Sequence, residues 1–507
     1  MGAAVGHLGW IKIASVRRVQ HSSEAILVEA FAARWKNAEM TRVVIIGGGP
    51  GGYEAALVGS QLGGEVTLIE NDGLGGSAVL TDCVPSKTLI ATAEVMSDVR
   101  QSADLGLRFG LHDQAEVNGG VWVDLAAVNR RVVDLAERQS CDITERVQRE
   151  NVNLVIGNAR LDGPDQVIAD TADGELSFPA DMILVATGAH PRELPEAKPD
   201  GERILTWTQL YGLTALPQRL IVVGSGVTGA EFASAYDALG SEVVLVSSRD
   251  RVLPGEDAEA AQVLEDVFTR RGMTVLPRSR AQSVERDGDQ VTVTLTDGRT
   301  VTGSHCLMAV GSLPNTAGIG LEEEAGVKLN QGGFIEVDRV SRTSARGVYA
   351  AGDCTGVLML ASVAAMQGRI AMWHTLGEHV SPLDLKTVSS TVFTAPEIAT
   401  VGVSQKQVES GEVPARVMTL PLRGNARAKM QGSRDGFVKL ICRNVTGIVI
   451  GGVVVAPRAS ELIFPVAIAV AQRLTVDQVS ESFTVYPSMT GSIAEAARRL
   501  HSTGMIS

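Results

Sequence analysis

The glycines near the start of the chain are spaced for binding the phosphates of a dinucleotide. Gly47, Gly49 and Gly52 follow an apolar, β-branched run and fit the pattern G-x-G-x-x-G. In this pattern the first glycine permits a tight turn, the second lets the backbone approach a pyrophosphate, and the third lets the following helix pack on the strand. Glu70 ends the next apolar strand, where a carboxylate can accept both hydroxyls of a ribose. We interpret this stretch as a dinucleotide site rather than an ordinary glycine-rich turn.

A second set of glycines repeats this arrangement further along the chain. Gly224, Gly226 and Gly229 come after another apolar strand and open another helical segment. The repeat predicts either two bound dinucleotides or one dinucleotide and a duplicated scaffold. We favour two dinucleotides, because a sheet kept only for packing has little use for three spaced glycines.

The two repeats differ in the residues that follow their second strands. Where the first repeat has an acid, the second has Ser247, Ser248 and Arg249. A carboxylate repels a 2′-phosphate, whereas hydroxyls and a guanidinium can bind one. These residues therefore favour NADPH over NADH, the alternative being an ordinary solvated basic turn.

The residue pattern also predicts the elements that must position these glycines. Continuous apolar runs such as Val43–Ile46 are typical of strands buried on both faces of a parallel sheet, and helical spacing follows each set of glycines. Residues 291–307 alternate apolar and polar side chains around an Asp-Gly pair, which predicts a strand–turn–strand. The last part of the chain has short strands, with helices predicted at Ala459–Arg473 and Ser492–His501.

Length and composition limit the class of protein. A chain of 507 residues is too long for one core, and roughly three domains are expected. The net charge of −13 argues against nucleic acid or an anionic membrane as the main partner. No apolar run reaches the roughly 18–20 residues of a membrane-spanning helix. The five cysteines are dispersed without metal-ligand spacing, which favours a cytoplasmic protein without a structural metal.

A segment after the first repeat carries a family resemblance. Residues Gly75–Lys87 have the sequence GGSAVLTDCVPSK, which resembles the redox-active segment of the pyridine nucleotide–disulfide oxidoreductases, a family that includes lipoamide dehydrogenase and glutathione reductase. That family has two cysteines separated by four residues before x-Pro-Ser-Lys. Here Cys83 occupies the second cysteine position and Ala78 the first. Further resemblances extend from Met40 to the C-terminus.

Three of these further resemblances concern the flavin. Ala186-Thr187-Gly188 resembles the family's first crossover out of the flavin domain, and Gly311–Asn315 resembles the return crossover. Gly352-Asp353 resembles the second flavin motif, in which the acid bonds a ribityl hydroxyl. The flavin-binding residues implied by the resemblance are Gly47, Gly49, Gly52, Glu70, Lys87, Thr187, Gly188, Gly352 and Asp353.

The resemblance implies a fold class, cofactors and an assembly. The fold would be α/β, with two doubly wound, Rossmann-like dinucleotide-binding domains and a C-terminal α+β dimerisation domain. The implied segments are an extension of uncertain role at 1–39, an FAD-binding domain at 40–188 and 311–385, an NAD(P)H-binding domain at 189–310, and a dimer-interface domain at 386–507. FAD and NADPH, or NADH, would be the cofactors. The assembly would be a homodimer or a higher homo-oligomer. For residues 1–39 we expect an upstream translated or added segment, or otherwise an ordered helix.

Two charged residues are expected to act together beside the flavin. In the resembling family, an acid at the position of Glu231 pairs with the lysine at the position of Lys87. We predict that this pair positions the nicotinamide and tunes the flavin. The alternative is two unrelated surface charges.

The departures from the family predict different chemistry. The family's base is a histidine in a His-Pro-Thr-x-x-Glu segment from the second subunit, but Tyr486 replaces the histidine and Gly491 the acid. Tyrosine, with a pKa of about 10, is a poor base at neutral pH. This chain thus lacks both the family's histidine base and one of its two cysteines. We expect a lipoamide-dehydrogenase-like NAD(P)H quinone reductase that passes hydride from NADPH through FAD to a quinone without a dithiol relay.

The expected quinone would bind in a pocket widened by Ala78, next to Tyr486, with Cys83 as a residual thiol. Alternatives within enzymes are a pyridine nucleotide transhydrogenase and a disulfide reductase that uses Cys83 alone. An alternative of another class is a flavin-bound interaction protein without catalysis.

Overall fold

The computed structural model describes residues 40–107 and 121–501. The expectations for residues 1–39 lie outside the described residues. The predicted domain bounds stay predictions.

The first glycine repeat lies in a parallel sheet, here named the first nucleotide-binding sheet. Its strands, in spatial order, are Val348–Ala350, Met182–Val185, Arg42–Ile46, Glu65–Glu70 and Asn153–Ile156. Val43–Ile46 is buried, as expected for a central strand covered on both faces. The helices Pro50–Gln61 and Ala361–Thr375 pack closely, because glycine at 368 leaves its backbone next to that of Gly51. Helix Leu125–Arg149 adds Ile143 and Val147 to the same core.

The second glycine repeat lies in a parallel sheet of the same design, the second nucleotide-binding sheet. Its strands, in spatial order, are Thr274–Leu276, Glu242–Val246, Arg219–Val223, His305–Met308 and Ile204–Leu205. Helices Val227–Leu239 and Ala258–Arg270 contribute buried side chains such as Phe232 and Phe268 to its core. The repeated scaffold predicted from the glycines is therefore present.

Antiparallel strands accompany the two parallel sheets. The predicted strand–turn–strand is confirmed as Gln290–Leu295 paired with Thr300–Gly303, and Ala281–Asp287 adds a third strand. A similar sheet lies in the chain between the strands Asn153–Ile156 and Met182–Val185 of the first nucleotide-binding sheet. It consists of Asn158–Leu161, Gln166–Thr171 and Gly174–Pro179.

The C-terminal part of the chain is an antiparallel sheet with helices. Its strands, in spatial order, are Ser389–Val392, Glu397–Gly402, Val449–Ala456, Phe437–Arg443 and Ala415–Pro421. The predicted single helix Ala459–Arg473 is wrong, because the chain forms Ala459–Leu462 and then Phe464–Ala471. Pro465 lies in the first turn of the second helix and has no N–H to continue the first.

The remaining α-helices that the structure describes are Gly76–Leu80, Cys83–Gln101, Gln405–Glu409, Ala426–Met430, Val476–Glu481 and Gly491–Leu500. Single turns of 3₁₀-helix lie at Ser102–Leu105, Leu210–Gly212, Asp353–Thr355, Leu385–Thr387 and Leu422–Gly424. Within residues 40–107 and 121–501, every helix is too short or too polar to cross a membrane.

Candidate functional site

A cavity of about 920 Å³ opens where strands of the first nucleotide-binding sheet end. Ile46, Glu70, Ala186 and Ala351 line it, and each lies at or just beyond the carboxyl end of a strand. In open α/β sheets this edge is where ligands bind, because loops diverge there and the helix N-termini point towards it.

The first glycine repeat has the geometry that its spacing predicts. Gly47 has a φ of +99°, and a Cβ there would lie 2.4 Å from the carbonyl oxygen of Ala186. A Cβ on Gly52 would lie 1.8 Å from the carbonyl oxygen of Gly47. A Cβ on Gly49 would meet no atom within 4 Å, so the backbone there is open to the cavity that it lines.

The second glycine repeat shows the same three environments. A Cβ on Gly224 would lie 2.1 Å from the carbonyl oxygen of Ala309, and one on Gly229 would lie 1.8 Å from that of Gly224. A Cβ on Gly226 would again meet nothing within 4 Å. In both repeats, therefore, the outer glycines are required by packing and the middle one faces open space.

Glu70 is buried at the edge of the cavity and is held by the backbone. Its Oε1 accepts hydrogen bonds from the N–H groups of Asn71 at 2.9 Å and Asp72 at 2.8 Å. Its Oε2 accepts another from Gly48. These bonds fix the carboxylate at the predicted ribose position, and its contact with a ribose stays a prediction.

The two predicted crossovers lie side by side. Ala189–Pro191 pairs antiparallel with Ser312–Pro314. The hydroxyl of Thr187 donates to the carbonyl oxygen of Asn315 at 2.7 Å, and the Asn315 amide donates back to the carbonyl oxygen of Thr187 at 2.8 Å. Two hydrogen bonds thus hold the two crossovers together. Thr187 and Gly188, on the first crossover, line the cavity.

Gly352 and Asp353 line the cavity where strand Val348–Ala350 ends. The N–H of Gly352, whose φ is +85°, donates to the side-chain oxygen of buried Gln367 at 2.9 Å. Burial, and then the charge of Asp82, raises the pKa of Asp353 to about 6. Sequence reasoning missed Gln367, since no local pattern indicates that a helix residue supports this turn.

Lys87 and Glu231 meet, as the resemblance implied. The Lys87 Nζ lies 2.9 Å from the Glu231 Oε2, and Glu231 is only 3% exposed. The other oxygen of Glu231 accepts a hydrogen bond from the N–H of Phe393 at 2.9 Å. Burial lowers the pKa of Lys87, but the charge and hydrogen bond of Glu231 outweigh it, so the pKa is raised. The alternative of two unrelated surface charges is excluded.

This ion pair joins the two nucleotide-binding parts of the chain. Lys87 lies on the first turns of helix Cys83–Gln101, and Glu231 lies on helix Val227–Leu239, which the second glycine repeat opens. The two helices pack against each other. The pair is thus near both the segment with Cys83 and the second nucleotide motif.

Cys83 lines the cavity and has no disulfide partner. Ala78, at the first cysteine position, also lines the cavity. Burial, and then the charge of Asp82, raises the pKa of the Cys83 thiol to about 11. A thiol needs its thiolate form to act as a nucleophile. The environment of Cys83 therefore favours the inert thiol at neutral pH.

Asp82 is a cavity residue that sequence reasoning missed. Its side chain is partly buried beside Cys83, and burial raises its pKa while Lys87 opposes the shift. The only signal in the sequence was its position directly before Cys83 in the redox-active segment.

The predicted 2′-phosphate site is only partly accessible. Ser247 is 0% exposed, its hydroxyl lies 2.7 Å from that of Ser225, and it accepts the N–H of Arg249 at 3.1 Å. It holds the loop and does not present its hydroxyl to a nucleotide, contrary to our prediction. Ser248 and Arg249 are exposed, and their contact with a 2′-phosphate stays a prediction.

Tyr486 does not join the cavity within one chain. Its side chain is 86% exposed, and it is absent from the residues that line the cavity. The resemblance placed this position at the site of a second subunit, and that role stays a prediction. Among the described residues, no cluster of His, Cys, Asp or Glu could hold a metal ion.

Two family profiles match nearly the whole described chain. Residues 41–368 match the pyridine nucleotide-disulphide oxidoreductases, and residues 388–497 match the dimerisation domain of the same family. The chain belongs to the pyridine nucleotide-disulphide oxidoreductase family. The predicted fold class and the prediction of an FAD-dependent oxidoreductase are thereby confirmed. The C-terminal part of the chain is the dimerisation domain of this family.

Curated members of this family are similar over most of their length. An NAD(P)H dehydrogenase (quinone) of Mycobacterium tuberculosis is 56% identical over 471 residues, which are 91% of this chain and 94% of that protein. A dihydrolipoyl dehydrogenase of Chlamydia pneumoniae is 33% identical over 454 residues, which are 90% and 95% of the two chains.

Solved structures agree with this assignment. A crystal structure of LpdA from Mycobacterium tuberculosis superposes with a TM-score of 0.86 at 55% identity, over 91% of this chain and 100% of that one. The HOCl-induced flavoprotein disulfide reductase RclA from Escherichia coli has a TM-score of 0.79 at 24% identity, over 90% and 99% of the two chains. At that identity the second likeness shows the fold alone.

The cofactors of the family are FAD and NAD(P)H, and the cavity residues fit FAD. The open backbone at Gly49 leaves room for a pyrophosphate, which a Cβ there would occupy. Glu70 and Asp353 supply carboxylates at the two positions where the family motifs place them, and both line the same cavity.

Proposed function

We propose that this protein passes two electrons from NADPH, or NADH, through FAD to a quinone without a dithiol relay. The observation that carries the proposal is the lone Cys83, which has Ala78 in place of a partner and a pKa of about 11. A family member without a thiol relay needs an acceptor that takes electrons directly, and a quinone is such an acceptor. The quinone in the name of the Mycobacterium tuberculosis relative supports the same acceptor.

Bound FAD would supply the chemistry, taking a hydride from the nicotinamide and passing two electrons to the acceptor. The protein's own residues bind and orient. The glycine backbone of the first repeat and Glu70 would hold the dinucleotide end of the cofactor, and Gly352-Asp353 would hold its ribityl chain. Lys87 is fixed by Glu231, whose other oxygen accepts the N–H of Phe393, and would hold a positive charge next to the reacting ring.

We propose NADPH as the preferred nucleotide because of Arg249. Replacing Arg249 by alanine is expected to raise KM for NADPH about tenfold and to leave KM for NADH within about twofold, since a charge-assisted hydrogen bond contributes about 1.5–3 kcal/mol. Steady-state kinetics with both nucleotides check this. Equal changes for both nucleotides, or a wild-type protein that favours NADH at equal concentration, would contradict the proposed preference.

Replacing Cys83 by serine is expected to leave quinone turnover within about twofold, because the raised pKa of Cys83 keeps the thiol protonated. Quinone and disulfide reduction should be measured for both proteins. If the wild type reduces a disulfide substrate and the variant does not, the thiol is a nucleophile and the disulfide reductase alternative is correct.

The proposed function is tested on the purified flavoprotein. NADPH is added anaerobically while the flavin spectrum is recorded, and quinones, disulfides and oxidised nicotinamide analogues are then offered in parallel. Flavin reduction followed by rapid reoxidation by quinones alone supports the proposal. Reoxidation by the nicotinamide analogue alone identifies a transhydrogenase, and failure of NADPH to reduce the flavin favours the interaction protein.

We also infer that Tyr486 lies at the acceptor site of the second subunit in a homodimer. Phe483, Val485 and Tyr486 are between 77% and 106% exposed in a single chain, a cluster that a subunit contact would cover. A cytoplasmic location is inferred because all five cysteines are free, as a reducing compartment favours.

A further inference from the structure

We propose that Asp82 is the proton donor to the quinone oxygen during reduction of the acceptor. This inference rests on the proposed function and assigns a residue to a step that this function requires. Asp82 would touch the acceptor and would therefore be a catalytic residue.

The reaction needs a proton that the nucleotide does not supply. Reducing a quinone to a hydroquinone adds two electrons and two protons, whereas NADPH gives two electrons and one proton as hydride. The balance is NADPH + H⁺ + quinone → NADP⁺ + hydroquinone. In the proposed step the O–H bond of Asp82 breaks, a new O–H bond forms on the quinone oxygen, and the carboxylate recovers its proton from water.

Asp82 lines the cavity next to Cys83. It stands between Ala78 and Cys83, the two positions of the redox-active segment, and all three line the cavity. Asp82 directly precedes helix Cys83–Gln101, but its side chain makes no capping hydrogen bond. The carboxyl is thus available to a ligand at the point where family members pass electrons out of the flavin.

The other titratable groups that line the cavity are less suited. They are Glu70, Asp72, Cys83, His190 and Asp353. Glu70 accepts backbone hydrogen bonds through both oxygens. Asp72 is exposed beside it, and His190 is exposed on a crossover, bonded at 2.6 Å to Asn315.

The two remaining groups have other assignments. Asp353 belongs to the second flavin motif, where it would bond the ribityl chain. Cys83 has a pKa of about 11 and is too weak an acid to donate efficiently near neutral pH. Among the titratable groups that line the cavity, Asp82 is the acid that remains.

The surroundings of Asp82 favour a protonated carboxyl. Burial raises its pKa, and Lys87 opposes the shift. The titratable groups that interact electrostatically with it are Cys83 and Lys87 on the helix that it precedes, Glu231 and Tyr211 from the second nucleotide-binding part, and Asp353. All of these neighbours except Lys87 carry or can acquire negative charge, and the Tyr211 hydroxyl is buried without a hydrogen-bond partner in the described structure. An acid with a pKa raised towards the working pH is an efficient donor.

The test replaces Asp82 by asparagine in the FAD-loaded protein. We expect quinone turnover at pH 7 to fall at least about 100-fold, since general acid catalysis contributes about 10²–10⁴-fold. Ferricyanide takes electrons without protons, so its reduction and flavin reduction by NADPH should stay within about threefold. Wild-type quinone turnover should fall as pH rises through the pKa of Asp82, because the donor must be protonated, and the variant should lack this fall.

A spectroscopic measurement complements the kinetics. Infrared difference spectra should show a protonated-carboxyl band in the wild type, at a pH where an ordinary aspartate with a pKa of about 3.9 is ionised. The band should be absent from Asp82→Asn. A variant with normal quinone turnover, or with equal losses for quinone and ferricyanide, overturns the inference.

The outcomes separate the inference from the proposed function. If the wild type reduces no quinone, the proposed function fails before Asp82 is compared. If Asp82→Asn does not retain FAD, Asp82→Glu keeps the acid and is expected to reduce quinone with a shifted pH profile. An unshifted profile in that variant contradicts the assignment.

Discussion

Replacing Lys87 by methionine is expected to lower the free energy of unfolding by about 3 kcal/mol and to slow flavin reduction by NADPH about 100-fold. Methionine matches the length of the lysine but leaves Glu231, which is 3% exposed, without its cation. Of the hydrogen bonds described for this carboxylate, the one from the N–H of Phe393 would remain. The lysine side chain is 32% exposed, so the expected loss is at the lower end of the range for breaking a buried pair.

The reverse change should be milder. Replacing Glu231 by glutamine keeps an acceptor for the Phe393 N–H, and the partly exposed Lys87 can reach water, so a loss of about 1 kcal/mol is expected. The double variant should be more stable than the sum of the two single losses predicts. Urea unfolding measures all four proteins. As a control, Arg149→Met removes the exposed pair with Glu145 and should cost less than about 0.5 kcal/mol.

The pH dependence of the Lys87 variant has a definite sign. Burial raises the pKa of Glu231, and Lys87 is the cation that opposes this shift. The folded state of Lys87→Met therefore binds a proton that the unfolded state releases. The free energy of unfolding of the variant should thus fall further below that of the wild type as pH rises from 5 to 8. If the difference in free energy of unfolding between the variant and the wild type is constant across this range, another cation compensates the charge of Glu231.

What the sequence predicted best depends on short-range geometry. The glycine repeats were predictable because their spacing is a pattern of six residues, within which the third glycine packs on the carbonyl oxygen of the first. The first glycine of each repeat also packs on a distant carbonyl oxygen, that of Ala186 or Ala309, which the spacing alone does not show. The meeting of Lys87 and Glu231, 144 residues apart, came only from the family resemblance. No local pattern encodes a contact at that distance.

What the sequence missed depends on burial and on tertiary partners. Ser247 has the right type for a phosphate contact, but its hydroxyl bonds to Ser225 inside the fold. Asp82 and Gln367 are ordinary polar residues until the cavity and the turn at Gly352 form around them. The prediction of one continuous helix was also wrong near Pro465. The apolar run there is typical of a helix, but the chain forms two helices.

Two substitutions by alanine in the second glycine repeat should have opposite kinds of effect. Replacing Gly229 puts a Cβ 1.8 Å from the Gly224 carbonyl oxygen, which is backbone and cannot rotate away. A loss of at least about 3 kcal/mol in the free energy of unfolding is expected, since overpacking typically costs about 1–3 kcal/mol and this contact is more severe. A Cβ on Gly226 would meet no atom within 4 Å, so this replacement should change the free energy of unfolding by less than about 0.5 kcal/mol.

The Gly226→Ala variant should instead bind NADPH more weakly. Its backbone has a φ of −72°, which alanine adopts without strain, so the new methyl group is tolerated by the protein. It would occupy the space into which a pyrophosphate must approach, and KM for NADPH is expected to rise at least about tenfold with unchanged flavin content. Thermal unfolding, flavin absorbance and NADPH kinetics separate the two variants. If Gly226→Ala binds NADPH normally, the second repeat is a duplicated scaffold, and the nucleotide enters elsewhere.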